Sequence, residues 1–321
     1  MQKTLEQPEQ SLTESAPDQA RAERRLTLRE VTRTFRVAAW LGWQIESNWA
    51  DPFVFFSFTI LRPLASALIL VVMYQVIAGG TGGSFFQYLY ISNAFFVLVI
   101  QTISGLVWTI FDDRENYKML KYVYTSPARK FAYLVGRAMA KIGVALLTVL
   151  VLLATGVLFL GLHLNFGQVE WGWLIAYFLV GMVVLASLGI ILAGIALVVA
   201  RHGESIGEVT AGMLLLFSGA YFPPDILPTV LKQVTLGLPV TYWLEGMRRA
   251  LNGGIMTGTF TKNGVTTTGP LSPILAQFDN WQLFLILVLC AAVCAVGSFL
   301  FYRWIERVAK ERGMIDRLTG Y

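Results

Sequence analysis

Asp112-Asp113-Arg114-Glu115-Asn116-Tyr117-Lys118-Met119-Leu120-Lys121-Tyr122-Val123-Tyr124-Thr125-Ser126-Pro127 is a charged insert between two long apolar runs. On a helix of 3.6 residues per turn, Arg114, Lys118 and Lys121 share one stripe, and Met119, Leu120, Val123 and Tyr124 share another. Asp112, Asp113 and Glu115 would fill the first turn, where negative charge suits the helix dipole, and Pro127 would end the helix. The pattern predicts a short amphipathic helix over 112–127, hung beneath two membrane spans. One face would meet lipid or the bundle and the other a soluble partner, so the segment reads as a docking element.

The composition agrees with a membrane protein. Hydrophobic residues make up 55% and charged residues 14% of the 321, and the mean hydropathy is +0.60; a soluble globular domain is far more polar. Six runs reach the roughly 20 residues that cross about 30 Å of hydrocarbon as helix: 53–78, 87–111, 134–161, 172–200, 206–222 and 281–304. The runs are continuously apolar, which excludes a transmembrane β-barrel with its alternating strands. The expected fold is therefore all-α, with six transmembrane helices.

Lys and Arg set the expected orientation. They cluster at Arg21–Arg36, at Arg114–Lys141 and at Arg303–Arg317, whereas 79–84 carries no charge. By the positive-inside rule both termini are cytoplasmic, in a cell (plasma or inner) membrane. Lys232, Arg248, Arg249 and Lys262 break the pattern from the outside, where long segments obey the rule weakly. The net charge of +5 then reflects orientation and contact with anionic membrane lipids, not nucleic-acid binding. Cys290 and Cys294, one turn apart, read as buried thiols rather than a metal site, which needs more ligands.

Residues 1–25 are polar and read as a disordered cytoplasmic tail; 305–321 read as a basic cytoplasmic tail. Between them and the first span, 26–52 reads as an interfacial amphipathic helix. Leu28, Val31, Phe35, Ala38, Gly42, Ile45 and Trp49 share one arc, with Arg25, Arg29, Arg33 and Arg36 on another. Between spans five and six, Pro223, Pro224, Pro228 and Pro239 cannot share one spanning helix. They predict short re-entrant helices over 223–251 that dip into the outer leaflet. An outer loop follows over 252–280, with a hairpin turning at Asn263-Gly264.

No G-x-x-x-x-G-K-[ST] phosphate loop, H-E-x-x-H or G-x-S-x-G motif occurs, and the span centres hold almost no acids of the kind proton-coupled carriers use. The chain carries no energy source that the sequence reveals.

Three pieces resemble a known family: the amphipathic lead-in, the Arg114-Glu115…Leu120…Thr125-Ser126-Pro127-x-Arg129 segment, and Ser218-Gly219…Phe222-Pro223…Leu227-Pro228…Leu238-Pro239-x-Thr241-Tyr242…Glu245-x-x-Arg248. Together they resemble the permease subunits of the ABC-2 type transporters. The resemblance implies an exporter permease, not itself an enzyme, that pairs with a second permease subunit and with a separate nucleotide-binding ATPase subunit. ATP and Mg would bind that partner, and this chain would hold no cofactor and no metal. It implies that Arg114, Glu115, Lys118, Leu120 and Lys121 couple to the ATPase. It further implies that Pro223, Pro228, Pro239, Tyr242, Glu245 and Arg248 form an outer gate on the translocation pathway, although Glu245 and Arg248, three apart, also fit a simple ion pair.

Arg62 stands out within the first run. A span beginning near Phe53 would place it about 14 Å deep. It either snorkels to the headgroups or lines the pathway and attracts an anionic substrate such as a phosphate-linked lipid glycan. An apolar cavity would suit drugs, lipids or lipid-linked glycans. Two other readings stay open: a membrane scaffold or receptor component that moves nothing, and an ion-coupled carrier.

Overall fold

A computed structural model describes residues 16–47, 53, 57–78, 83–126, 129–199, 203–262 and 265–313. The order is α1 (Ala16–Ser47), a π-helical turn (Ser57–Leu61), α2 (Arg62–Ala78), α3 (Ser84–Phe111) with a π-helical end (Asp112–Asn116), α4 (Leu120–Thr125), α5 (Lys130–Phe159), α6 (Trp171–Val198) and α7 (Gly203–Phe217). A 3-10 turn (Pro224–Ile226), α8 (Thr229–Gly237), α9 (Pro239–Asn252), β1 (Thr257–Lys262), β2 (Val265–Pro270), α10 (Pro273–Ala276) and α11 (Asn280–Glu311) complete it.

Among the described residues four helices are long and apolar enough to cross a membrane: Ser84–Asn116, Lys130–Phe159, Trp171–Val198 and Asn280–Glu311. The other two expected spans appear as shorter apolar helices, Arg62–Val76 and Ser205–Phe217. α3 is the central element: 72% of its apolar window is buried, against 22% for α11 at the periphery. Apolar side chains on every face let α3 pack against α5, α6 and α7 at once. Gly189 of α6 allows one such approach, because a Cβ there would lie 2.6 Å from Leu106 of α3. The small-residue step Gly189–Ala193 thus serves packing within the chain.

α1 lies along α5. Its apolar stripe turns Ala38 and Gly42 inward, while Val37, Trp40 and Trp43 stay exposed. Gly136 of α5 makes the contact close: a Cβ there would stand 2.6 Å from the Phe35 carbonyl oxygen. Lys141 of α5 pairs with Glu46 of α1. The lead-in helix is therefore docked on protein as well as amphipathic.

Three boundaries differ from the sequence expectation. α1 starts at Ala16, so 16–25 are helical instead of disordered, and it ends at Ser47; Trp49, Asp51 and Pro52 lie outside the described residues. α11 continues to Glu311 with Lys310 in its last turn, pairing with Glu306 at 2.6 Å, so the basic tail is helical that far. Salt-bridged i,i+4 pairs and a cation near the C-terminus favour continuing the helix beyond the apolar run. Cys290 and Cys294 are free and half-buried.

The hairpin pairs Thr257 with Pro270 and Lys262 with Val265, antiparallel. This register leaves 263–264 as the connection, outside the described residues.

Candidate functional site

One end of the bundle gathers the Asp112 segment. The Tyr117 amide donates to the Asp112 carbonyl at 2.8 Å, closing a π-turn, and the Met119 amide donates to Asp113 at 2.9 Å. Lys118 then takes φ 51°, a left-handed conformation that interrupts a helix. A new short helix begins at Leu120. The expected single helix over 112–127 is thus a π-turn, a left-handed joint and α4. The wider π-turn shifts the helical phase, so Arg114 and Lys118 do not share a face.

The inward side chains tie this segment to three spans. Asp113 is fully buried; Tyr133 of α5 donates to its Oδ2 at 2.6 Å, and the Arg137 guanidinium stands 3.6 Å from Oδ1. Arg114, 7% exposed, donates from Nη2 to the Leu197 carbonyl at 2.6 Å and from Nη1 to Val199 at 3.5 Å, at the end of α6. The hydroxyls of Tyr124 and Tyr302 of α11 bond to each other. Leu120 sits in a core with Leu106, Ile110, Ala193 and Leu197. The outward face carries Tyr117, Lys118, Lys121 and Tyr122, the last 72% exposed.

Of the residues expected to face a partner, then, Lys118 and Lys121 are exposed and Glu115 is half-buried. Arg114 points inward, which corrects the shared basic stripe, and Leu120 of the apolar stripe points inward too. Asp113, Tyr133 and Arg137 escaped sequence reading because the residues that meet Asp113 stand on the next helix.

The opposite end of the bundle holds the proline-rich segment, which is locally well explained. Pro239 fixes the first turn of α9. The Thr241 hydroxyl donates to the Thr235 carbonyl at 2.9 Å, which also accepts from the Leu238 amide, and the Tyr242 hydroxyl donates to the Leu236 carbonyl at 2.7 Å, so both tie α9 to the carbonyl end of α8. Pro223 is buried, Pro239 half-buried and Pro228 exposed.

Glu245 is the hub of this end, 5% exposed. Its Oε2 accepts from Arg248 Nη2 at 2.8 Å and its Oε1 from Arg249 Nε at 2.9 Å. Arg248 Nη1 continues to the Ser92 hydroxyl at 2.7 Å and the Gly219 carbonyl at 3.1 Å, with the guanidinium 4.1 Å from the Tyr88 ring centre. Arg249 reaches the carbonyls of Leu275 at 2.6 Å and Phe278 at 2.8 Å. Gly219 at φ 77° aims its carbonyl at both Arg248 and the Tyr88 hydroxyl, a backbone state that glycine adopts without strain. Burial pushes the Glu245 carboxyl up, but Arg248 and Arg249 pull it further down, leaving it below the ordinary 4.5. Sequence reading paired Glu245 with Arg248 and missed Arg249, which lies one i,i+4 step away.

These groups are satisfied within the chain and buried, so Glu245 and Arg248 knit α9 to α3 and, through Arg249, to the start of α11. Arg62 is separate: it is exposed at the start of α2, next to the exposed Leu61.

No curated protein matches the chain. The sequence profile of the ABC-2 type transporters matches residues 35–252, which run from within α1, through the Asp112 segment and the Glu245 hub, to the end of α9. More than half of the sequence, including both clusters just described, is thereby accounted for, and the chain belongs to the ABC-2 type transporter family.

Proposed function

We propose that this permease is the membrane subunit of an ATP-driven exporter. It would move an amphiphilic or lipid-linked substrate (a drug, lipid or glycan) out of the cytoplasm or inner leaflet by alternating access. The observation that carries the proposal is the Asp112 segment. Its outward face carries two exposed tyrosines, Tyr117 and Tyr122, of the kind enriched at protein-binding surfaces, beside two exposed cations, Lys118 and Lys121, that can select an acidic partner. Its inward face is bonded into α5, α6 and α11. A partner pressing on such a face would move spans rather than a loose loop.

The partner is a separate nucleotide-binding ATPase subunit, holding ATP and Mg, and two permease subunits pair around the pathway. ATP closes the ATPase pair, the docked segments approach each other, and the spans tilt toward an outward-open state. The bias comes from the difference in ATP affinity between the two states. The topology is six spans with both termini cytoplasmic, α2 and α7 completing the four long helices. The ion pairing of Arg248 and Arg249 with Glu245 supports it, since two of the four cations that break the charge rule are not free charges. In this scheme α9 is a fixed wall of the outer exit, because its polar groups are already bonded inside the chain.

The test is purification of the tagged chain in mild detergent. An ATPase subunit should copurify, and an amphiphile should raise its turnover. Absence of any ATPase would favour a scaffold; gradient-driven transport in ATP-depleted vesicles would favour an ion-coupled carrier. Either result ends this proposal.

A further inference from the structure

We infer that Arg114 is a positioning residue of the transport cycle: it links the docking segment to the end of α6, so that motion of the docked face reaches that span. The inference rests on the docking reading above and assigns Arg114 a place inside the chain, away from the partner. Its guanidinium is buried and donates to two carbonyls, Leu197 and Val199, in the last turn of α6 and just beyond it. Those carbonyls stand past the last intrahelical donors of α6 among the described residues and lie at the negative end of the helix dipole. Cation and helix end are therefore complementary, and the chain turns into α7 only a few residues later.

The joint at Lys118 makes the link matter. The left-handed residue breaks the helical rod between α3 and α4, so pressure on Lys121 and Tyr122 is not carried along one continuous helix. It passes through side chains instead. Asp113 leads to α5 and Tyr124 to α11, and Arg114 leads to α6. The Arg114 Nε–H is buried without an acceptor among the described residues. The guanidinium is thus aimed by hydrogen bonds to the two carbonyls, with the Glu115 carboxylate near enough to favour its charge.

The test compares Arg114→Met, Arg114→Lys and Lys121→Glu in purified complexes, measuring ATPase copurification and substrate moved per ATP hydrolysed. Arg114→Met should keep the ATPase at the wild-type ratio while transport per ATP falls about tenfold, a typical coupling effect. Arg114→Lys keeps the charge but serves one carbonyl, so it should recover part of the loss; it also stands in if the Met variant fails to fold. Lys121→Glu should lose the ATPase instead. Loss of the ATPase from Arg114→Met or Arg114→Lys would place Arg114 on the docking face and overturn the inference. So would wild-type transport per ATP in the folded variants, since a merely structural residue lowers yield and melting temperature but not that ratio. A wild-type chain that binds no ATPase would instead bring down the docking reading itself, and this inference with it.

Discussion

Glu245 holds two adjacent arginines with one carboxylate, and each arginine then reaches a different part of the fold. Glu245→Gln keeps the shape but leaves two buried cations side by side, which costs about 3–5 kcal/mol. A clear fall in the thermal unfolding temperature in detergent should follow, while Lys232→Gln, at a half-buried site outside the hub, should change little. The pH dependence has a definite sign. The folded carboxyl lies below its ordinary value, so its stabilisation is complete above that value and is lost as pH falls through the lower folded one. The gap between wild type and variant should therefore persist into mildly acidic buffer and close only below the ordinary carboxylate range. Arg62 belongs to the same scale with a different expectation. Exposed at the start of α2, it is proposed to attract anionic substrate. Arg62→Ala should slow vesicle transport of a phosphate-linked lipid glycan more than that of a neutral amphiphile, and equal rates on both would remove it from the pathway.

Among the elements, α1 shows how a small residue sets a helix–helix contact. Gly136 admits the Phe35 carbonyl and the Ala38 methyl into the surface of α5. Gly136→Val would overpack that contact by about 1–3 kcal/mol. The expected outcome is release of α1 from α5, seen as faster limited proteolysis around Arg33 and Arg36 with the remaining spans intact. Unchanged proteolysis would mean that lipid contact, not α5, holds α1. The same scale separates α8 from α9. Thr241 and Tyr242 bond back to α8, and Glu245, Arg248 and Arg249 bond forward to α3 and the α11 lead-in, so the two short helices form one bonded unit.

For the whole molecule, the two ends differ in chemistry. The Glu245 end keeps Glu245, Arg248 and Arg249 inside, whereas the Asp112 end keeps Asp113 and Arg114 inside and presents Lys118 and Lys121 outside. Reversing both exposed charges, Lys118→Glu with Lys121→Glu, should abolish ATPase copurification while membrane insertion and a single sharp elution peak survive. If the doubly reversed chain still binds its ATPase, the partner docks elsewhere.

Apolar run length, read from the residues alone, was enough to place the starts of the four long helices to within a few positions, and the prolines marked where α8 and α9 separate. Asn263-Gly264 correctly located the hairpin connection between Lys262 and Val265. These features are local, and local rules decide them. The i,i+3 spacing of Glu245 and Arg248 was equally legible, yet the acceptors that the arginines reach, at Ser92, Gly219, Leu275 and Phe278, are distant in sequence and visible only once the chain is folded. The Asp112 segment shows the sharpest division. Periodicity at 3.6 residues made it one amphipathic helix with Arg114 on the basic face. Packing against α5, α6 and α11 inserted a π-turn and a left-handed Lys118, which rotated Arg114 onto the open carbonyls of α6. Composition and pattern determined that this is a helical membrane protein with a charged segment between spans; tertiary structure decided which of those charges face inward, because only neighbouring helices supply the carbonyls and carboxylates that make burying a charge tolerable.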